Sequence, residues 1–393
     1  MTKPENVPAA YREGFERASA VNPELASRYI EQTTVDDPFA DAVIDALAAF
    51  DMEDANRFIH AGMQQNEKVL ADAPEALRSF FDDLEKKPEW FDPQALYPGY
   101  RAFHAHSDLF VPAFFLVSVQ NAATLMAKPL YASGRVLGGF GMRRIRQNTR
   151  HFIEIMLPDA LERQGDGWKL SVRIRLVHAQ LRRLIREESD WDESVYGAPL
   201  SSAHLALAAA NFSATMLSHA EILGAKLDDA TRNGFMQAWR YASYLFGAPE
   251  HLLFEGDYEK TLEFARLATL CEPPPGEESA AVANALINAL PLIAGKTDSA
   301  EQDAMIKHVC RVTRAVLGDE LSDELSLPKM QTRGLLGWMK FSRRIQEMTH
   351  GIAPGFGKKW QGNKFAFLLE ASMLEDLRYR LPDHLDTEKA APW

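Results

Sequence analysis

Residues 172–183 read Val-Arg-Ile-Arg-Leu-Val-His-Ala-Gln-Leu-Arg-Arg. They set one histidine, His178, between Arg175 three residues before it and Arg182 four residues after it. Val172, Leu176 and Ala179 make an apolar stripe that carries this segment into a core. A neutral imidazole on the inner face of a helix can ligate a buried metal or a haem iron. The same pattern suits a hydrogen-bonded core histidine beside a solvated basic edge.

A second segment precedes it. Met142, Ile145, Thr149, Phe152 and Met156 recur at spacings of three and four, which puts them on one helical face. Arg143, Arg144, Arg146 and Arg150 crowd the same stretch, and no Asp or Glu occurs from Leu109 to Ile153. In a chain of formal charge −12, an acid-free basic window predicts a local positive site for an anionic ligand. A basic ridge paired with acids elsewhere in the chain would look the same.

These residues need elements to hold them, and the elements read as helices. Phe39-Ala40-Val43-Ile44-Leu47 and Phe235-Trp239-Tyr244-Leu245 repeat with helical period, and alternating strand patterns are nearly absent. The loop Gln164-Gly165-Asp166-Gly167-Trp168 separates the arginine segment from the His178 segment, so the two are expected as antiparallel neighbours. Ser201 follows a Gly-x-Pro turn and reads as a helix cap. Asn211, Ser213, Thr215, Ser218 and His219 make the helix after it polar for a core element. Leu109–Ala127 is apolar, but Pro112, Ser118, Gln120 and Asn121 favour a buried core helix over a membrane span. Glu272-Pro273-Pro274-Pro275-Gly276 is the strongest loop signal. The expectation is an all-α fold, residues 1–393 forming one large helical domain around a buried pocket. Within it, residues 1–35 read as a polar arm, 100–265 as the core, and 266–393 as further helices ending in a loose tail.

Composition limits the function classes. The acidic balance argues against general nucleic-acid binding. The two cysteines, Cys271 and Cys310, cannot build a metal cluster, and no Cys-x-x-Cys-His is present for covalent haem attachment. No secretory signal is visible at the N-terminus, so a cytoplasmic location is expected. Trp338-Met339-Lys340-Phe341-Ser342-Arg343-Arg344 and Pro354–Trp360 are basic and aromatic, as in a lid or a peripheral membrane contact.

Taken in order, the segments resemble the catalytic domain shared by latex clearing protein (rubber oxygenase) and the MpaB-type oxygenases. The resemblance rests on Arg144 to Thr149, Gly165 to Gly167, Arg175-Leu176-Val177-His178-Ala179-Gln180-Leu181-Arg182, Gly197-Ala198-Pro199, and Trp239 to Glu250. It implies an all-α protein that binds b-type haem non-covalently, with His178 as the iron ligand and Arg175 and Arg182 beside the cofactor. It implies an oxygenase that uses dioxygen on a small hydrophobic alkene, terpenoid or lipid-like substrate, by oxidative cleavage of a double bond. Arg146 and Thr149 would act on the oxygen side, with Arg144 as the alternative to Arg146. The family sets its arginine four residues before the threonine, where this chain has Ile145. The family's upstream glutamate is also missing, leaving Lys128, Tyr131 or a water in its place.

Two other classes stay open on the residues. One is a non-catalytic carrier of haem or a hydrophobic ligand on the same scaffold. The other is a non-haem metal enzyme built on His104 and His106, which lack a third partner in the sequence.

Overall fold

The computed structural model describes residues 4, 6–132, 139–352 and 381–382. Every regular element among them is helical, as the period predicts. Side-chain caps start many of the helices. Asn22, Asp37, Asp51, Ser201, Asp228, Asp257 and Asp298 each accept a backbone N–H of the first turn, satisfying a donor the helix leaves open. Pro23 and Pro38 follow two of these caps, where a missing N–H costs nothing.

The centre of the molecule is the helix Tyr97–Ala122. It bends at His106, where the backbone leaves helical values (φ −127°, ψ 27°) and the axis turns by 98°. The arm beyond the bend carries Phe110, Ala113, Phe114 and Val117 into the main core. Around it pack Met216–Leu223, Asp229–Leu245 and Glu277–Ile293. No single helix among the described residues is long and apolar enough to cross a membrane.

The arginine segment forms the helix Gly139–Ile155 and the histidine segment the helix Asp166–Glu188. They are antiparallel neighbours, as expected from the loop between them. The loop is shorter than the sequence suggests, because Asp166 and Gly167 already belong to the first helical turn. Gly165 is required by close approach: a Cβ there would stand 2.2 Å from the Ala160 carbonyl oxygen. The Trp168 N–H then reaches that oxygen at 2.9 Å and closes the turn.

Two features depart from the simple reading. Residues 211–215 take π-helical form and interrupt the polar helix expected there. Its side chains are bonded inward: Asn211 donates to Asn121 at 2.7 Å, Thr215 to Asn211, and His219 meets Gln120 at 3.0 Å. The N-terminal residues are docked. Tyr11, Ala18, Tyr29 and Ile30 are fully buried in a second core with Phe264 and Ala268. Tyr29 donates to the buried Glu272 carboxylate at 2.5 Å, and the second oxygen of Glu272 takes the Leu125 N–H at 2.7 Å. The segments Pro354–Trp360 and Asp383–Trp393 lie outside the described residues.

Candidate functional site

The arginine and histidine helices meet along a seam whose register is fixed at two places. Gly167 lies against the Glu154 backbone, so close that a Cβ would sit 3.2 Å from the Glu154 carbonyl carbon. One turn on, His151 Nε2 and Ser171 Oγ are 2.9 Å apart. The Ser171 hydroxyl donates its one proton to the Gly167 carbonyl at 2.7 Å, so it accepts from His151 Nε2–H. Burial pushes the His151 imidazole down to about 4, and it is neutral at physiological pH.

Two turns beyond Ser171 the histidine helix reaches His178. Residues seven apart share a face to within about 20°, so His178 continues the line of Ser171 along the seam. Counting the same seven residues back from His151 reaches Arg144. The register therefore levels the Arg144 position with His178. Arg146 and Thr149 are half-buried, but they stand five and two residues before His151. At about 100° per residue that sets them close to half a turn around from the seam-facing side. His151 and Ser171 are site residues that the sequence reading missed. Their common signal was position, since each lies seven residues from a residue already singled out.

A packed aromatic wall backs the seam. Phe152 is fully buried and stacks on Phe114 at 4.7 Å and on Trp239 at 5.9 Å between ring centroids. Phe212 completes the set, stacked on Phe114 at 5.1 Å and on Trp239 at 5.4 Å. Phe110 and Met156 join the same core, whereas Phe115 belongs to a separate one with Val282 and Ile287. These rings fill their space against each other and make a dry wall. The Met142 side chain lies outside the described residues.

Arg175 and Arg182 have carboxylate partners from the helix Pro38–Leu47 and its N-cap, Asp37. Arg175 grips Asp37 bidentately, Nε to Oδ2 at 2.5 Å and Nη2 to Oδ1 at 2.9 Å. Burial raises the Asp37 carboxyl, but the Arg175 bonds and charge prevail and hold it below its ordinary value. Arg182 is almost wholly buried and donates to Asp41 at 2.6 and 2.9 Å and to the Leu200 carbonyl at 3.4 Å. What the structure shows both arginines doing is fastening the histidine helix to its neighbour. The acids lie some 140 residues away in sequence, so no local pattern announces them.

The remaining candidates are also placed. Lys128 pairs with Glu278 at 2.8 Å, and Tyr131 is exposed. Arg150 pairs with Glu154, both buried. His106 Nδ1 lies 3.0 Å from Arg343, and burial lowers the His104 pKa. Among the described residues no three His, Cys, Asp or Glu come together as a metal site. A groove of about 900 Å³ lies elsewhere, lined by Arg28, Arg240, Glu250, His251 and Lys260, none of them on the histidine helix.

Comparison with known proteins places this arrangement. A family model described as "ER-bound oxygenase mpaB/B'/Rubber oxygenase, catalytic domain" matches residues 101–345, more than half of the chain. The chain belongs to this oxygenase family. The match takes in both seam helices and runs past residue 265, where the expected core ends, to include the helix Leu335–Ile352 as far as Ile345. The rubber oxygenase of Streptomyces sp. (strain K30) is 23% identical over 220 residues, which cover 55% of this chain and 53% of the relative. The chain thus spans about half the length of that curated relative. A solved structure of latex clearing protein in the closed state superposes with a TM-score of 0.64 over 90% of this chain and 95% of the other, at 17% identity. At that identity the likeness is one of fold, and it supports the all-α architecture.

The donor chemistry of the seam can be tested against the cofactor that the resemblance implies. Among the described residues the seam offers the imidazole of His178 two turns above His151, whose own imidazole is committed to Ser171. One histidine on a helix fits a group that needs one axial protein ligand, such as haem. It does not fit an ion that draws several ligands from the protein. Arg175 and Arg182 each already commit donors to a carboxylate.

Proposed function

We propose that this protein is a haem b-dependent oxygenase that acts with dioxygen on a small hydrophobic substrate bearing a double bond. The observation that carries the reading is the family match across both seam helices, with His178 as the histidine facing along the seam. His178 would hold the iron, and bound haem would supply the oxygen activation.

The chain's own residues do the rest. Asp37 and Asp41 hold the histidine helix through Arg175 and Arg182, which fixes the position of His178. His151 and Ser171 lock the lower register of the seam with neutral groups. Phe114, Phe152, Phe212 and Trp239 exclude water and suit an apolar substrate. The Arg144 position, level with His178, is the best placed of the arginines to meet an anionic group there; Arg146 and Thr149 would have to act from the other side of their helix. A carrier of haem or of a hydrophobic ligand is the second reading. It is favoured by one observation: Glu154, the acid of the arginine helix, is buried and committed to Arg150.

The test is spectroscopic first. The protein expressed with added haem is expected to show a Soret band, and His178→Ala is expected to lose it. No band in the parent, or an unchanged band in the variant, refutes the proposal. Oxygen uptake with a reductant and a panel of alkenes then separates oxygenase from carrier.

A further inference from the structure

The helix Leu335–Ile352 carries a face that the site described above does not use. Leu335 is buried, and Leu336 and Met339 pack against the main core. Arg343 fastens the helix inward, donating to Asp108 at 2.8 Å and meeting His106 at 3.0 Å, at the bend of the central helix. The outer side carries Trp338 and Phe341, 66% and 61% exposed, one turn apart. Large apolar side chains exposed to that degree and set side by side mark an interaction surface.

The charges around them select the partner. From Leu325 to Gln346 the sequence has no acid, while it has Lys329, Arg333, Lys340, Arg343 and Arg344. Arg333, Lys340 and Arg344 are exposed, and Lys340 and Arg344 line one side of the aromatic pair on the helix. The whole chain has formal charge −12, so this is a basic island on an acidic protein. Two exposed aromatic rings with cations along one side, on a helix whose other face is packed, match an interfacial helix that lies on an anionic bilayer. A nucleic acid would call for a broader basic surface and would leave the rings without a role.

We infer that the Trp338–Phe341 face docks this protein onto an anionic lipid bilayer. The rings enter the headgroup boundary while Lys340 and Arg344 stay at the level of the lipid phosphates. The inference does not depend on haem or on oxygenase activity. If both hold, docking would place the protein where apolar substrates dissolve.

The test is co-sedimentation of the full chain with vesicles of phosphatidylcholine alone and of phosphatidylcholine mixed with phosphatidylglycerol. Binding is expected only to the mixed vesicles and should weaken as salt rises. Lys340→Gln with Arg344→Gln is expected to lower the partition coefficient roughly thirtyfold, at about fivefold per cation. Trp338→Ser with Phe341→Ser is expected to abolish it. All four side chains are exposed, and circular dichroism checks that the fold is kept. As a second readout, brominated lipid should quench tryptophan emission in the parent and much less in Trp338→Tyr. Failure to bind the mixed vesicles, or equal binding by the double variants, overturns the inference. So does concentration-dependent self-association that Trp338→Ser removes while vesicle binding is absent, since the face would then belong to a second copy of the chain.

Discussion

Arg182 and Asp41 permit a test that separates an arginine that builds the fold from one that holds a ligand. The Arg182 side chain is 1% exposed, and that of Asp41 is 23% exposed. The two halves of the pair are therefore not equivalent. Asp41→Ala strands a guanidinium with no route to water, leaving it only the Leu200 carbonyl at 3.4 Å. Breaking a buried pair in this way costs about 3–5 kcal/mol. Arg182→Met leaves a carboxylate that still reaches solvent and whose pKa burial has already raised. It can hydrate or take a proton, so the expected cost is about 1–2 kcal/mol. Asp41→Leu combined with Arg182→Met removes both charges and should recover most of the loss. At about 2.1 cal/mol/K per residue, a chain of this length loses roughly 5 °C in Tm for 4 kcal/mol. Urea unfolding followed by far-ultraviolet circular dichroism gives the three values. An Arg182→Met protein less stable than Asp41→Ala, or a double variant as unstable as Asp41→Ala, would refute the argument. Loss of haem from Arg182→Met at unchanged stability would assign the arginine to the cofactor instead.

Two further predictions concern the buried histidines and the loop between the seam helices. Burial pushes His151 and His219 each down to about 4, from an ordinary value near 6.5. The unfolded chain takes up these protons first, so stability is lost as pH falls through that window, on the order of 3 kcal/mol per histidine. The urea midpoint should drop steeply on acidification and less so in His151→Gln; a midpoint indifferent to pH from about 7 to about 5 contradicts the burial argument. Gly165→Ala drives a Cβ into the Ala160 carbonyl, a backbone group that cannot rotate away. It should cost about 1–3 kcal/mol in the same assay, and a neutral effect would mean that the loop relaxes freely.

Much of the fold was legible because helical period and breakers act locally. The two seam helices, the buried core helix, the Ser201 cap and the loop after Cys271 all follow from neighbouring residues. What could not be read depends on distant partners. Nothing near Arg175 or Arg182 announces Asp37 or Asp41, and with their acids unseen the arginines looked free for a ligand. The first 35 residues look polar because their buried residues are few and spread out. Tyr11 and Tyr29 nonetheless bury their rings against a helix more than 200 residues on. The π-helical turn at 211–215 needs tertiary bonds to Asn121 that no spacing encodes.

Helical phase decides how far the site itself could be read. On a single helix, Arg146 and Thr149 sit three apart and look like a natural pair, and sequence spacing recommends them together. Their partner is on another helix, however, and only the contacts between helices say which side faces it. The pairings of His151 with Ser171 and of Glu154 with Gly167 supply that direction. They set residue 144 level with His178 along the seam and put Arg146 and Thr149 close to half a turn around their helix from His151. The seam is closed where His151 and Ser171 meet. There a neutral histidine and a serine pair, backed by the stacked rings of Phe114, Phe152 and Trp239. If His178 ligates a group, the N-terminal end of the arginine helix is the side proposed for it. That is where the basic residues of the acid-free window are concentrated, and where charge and register agree.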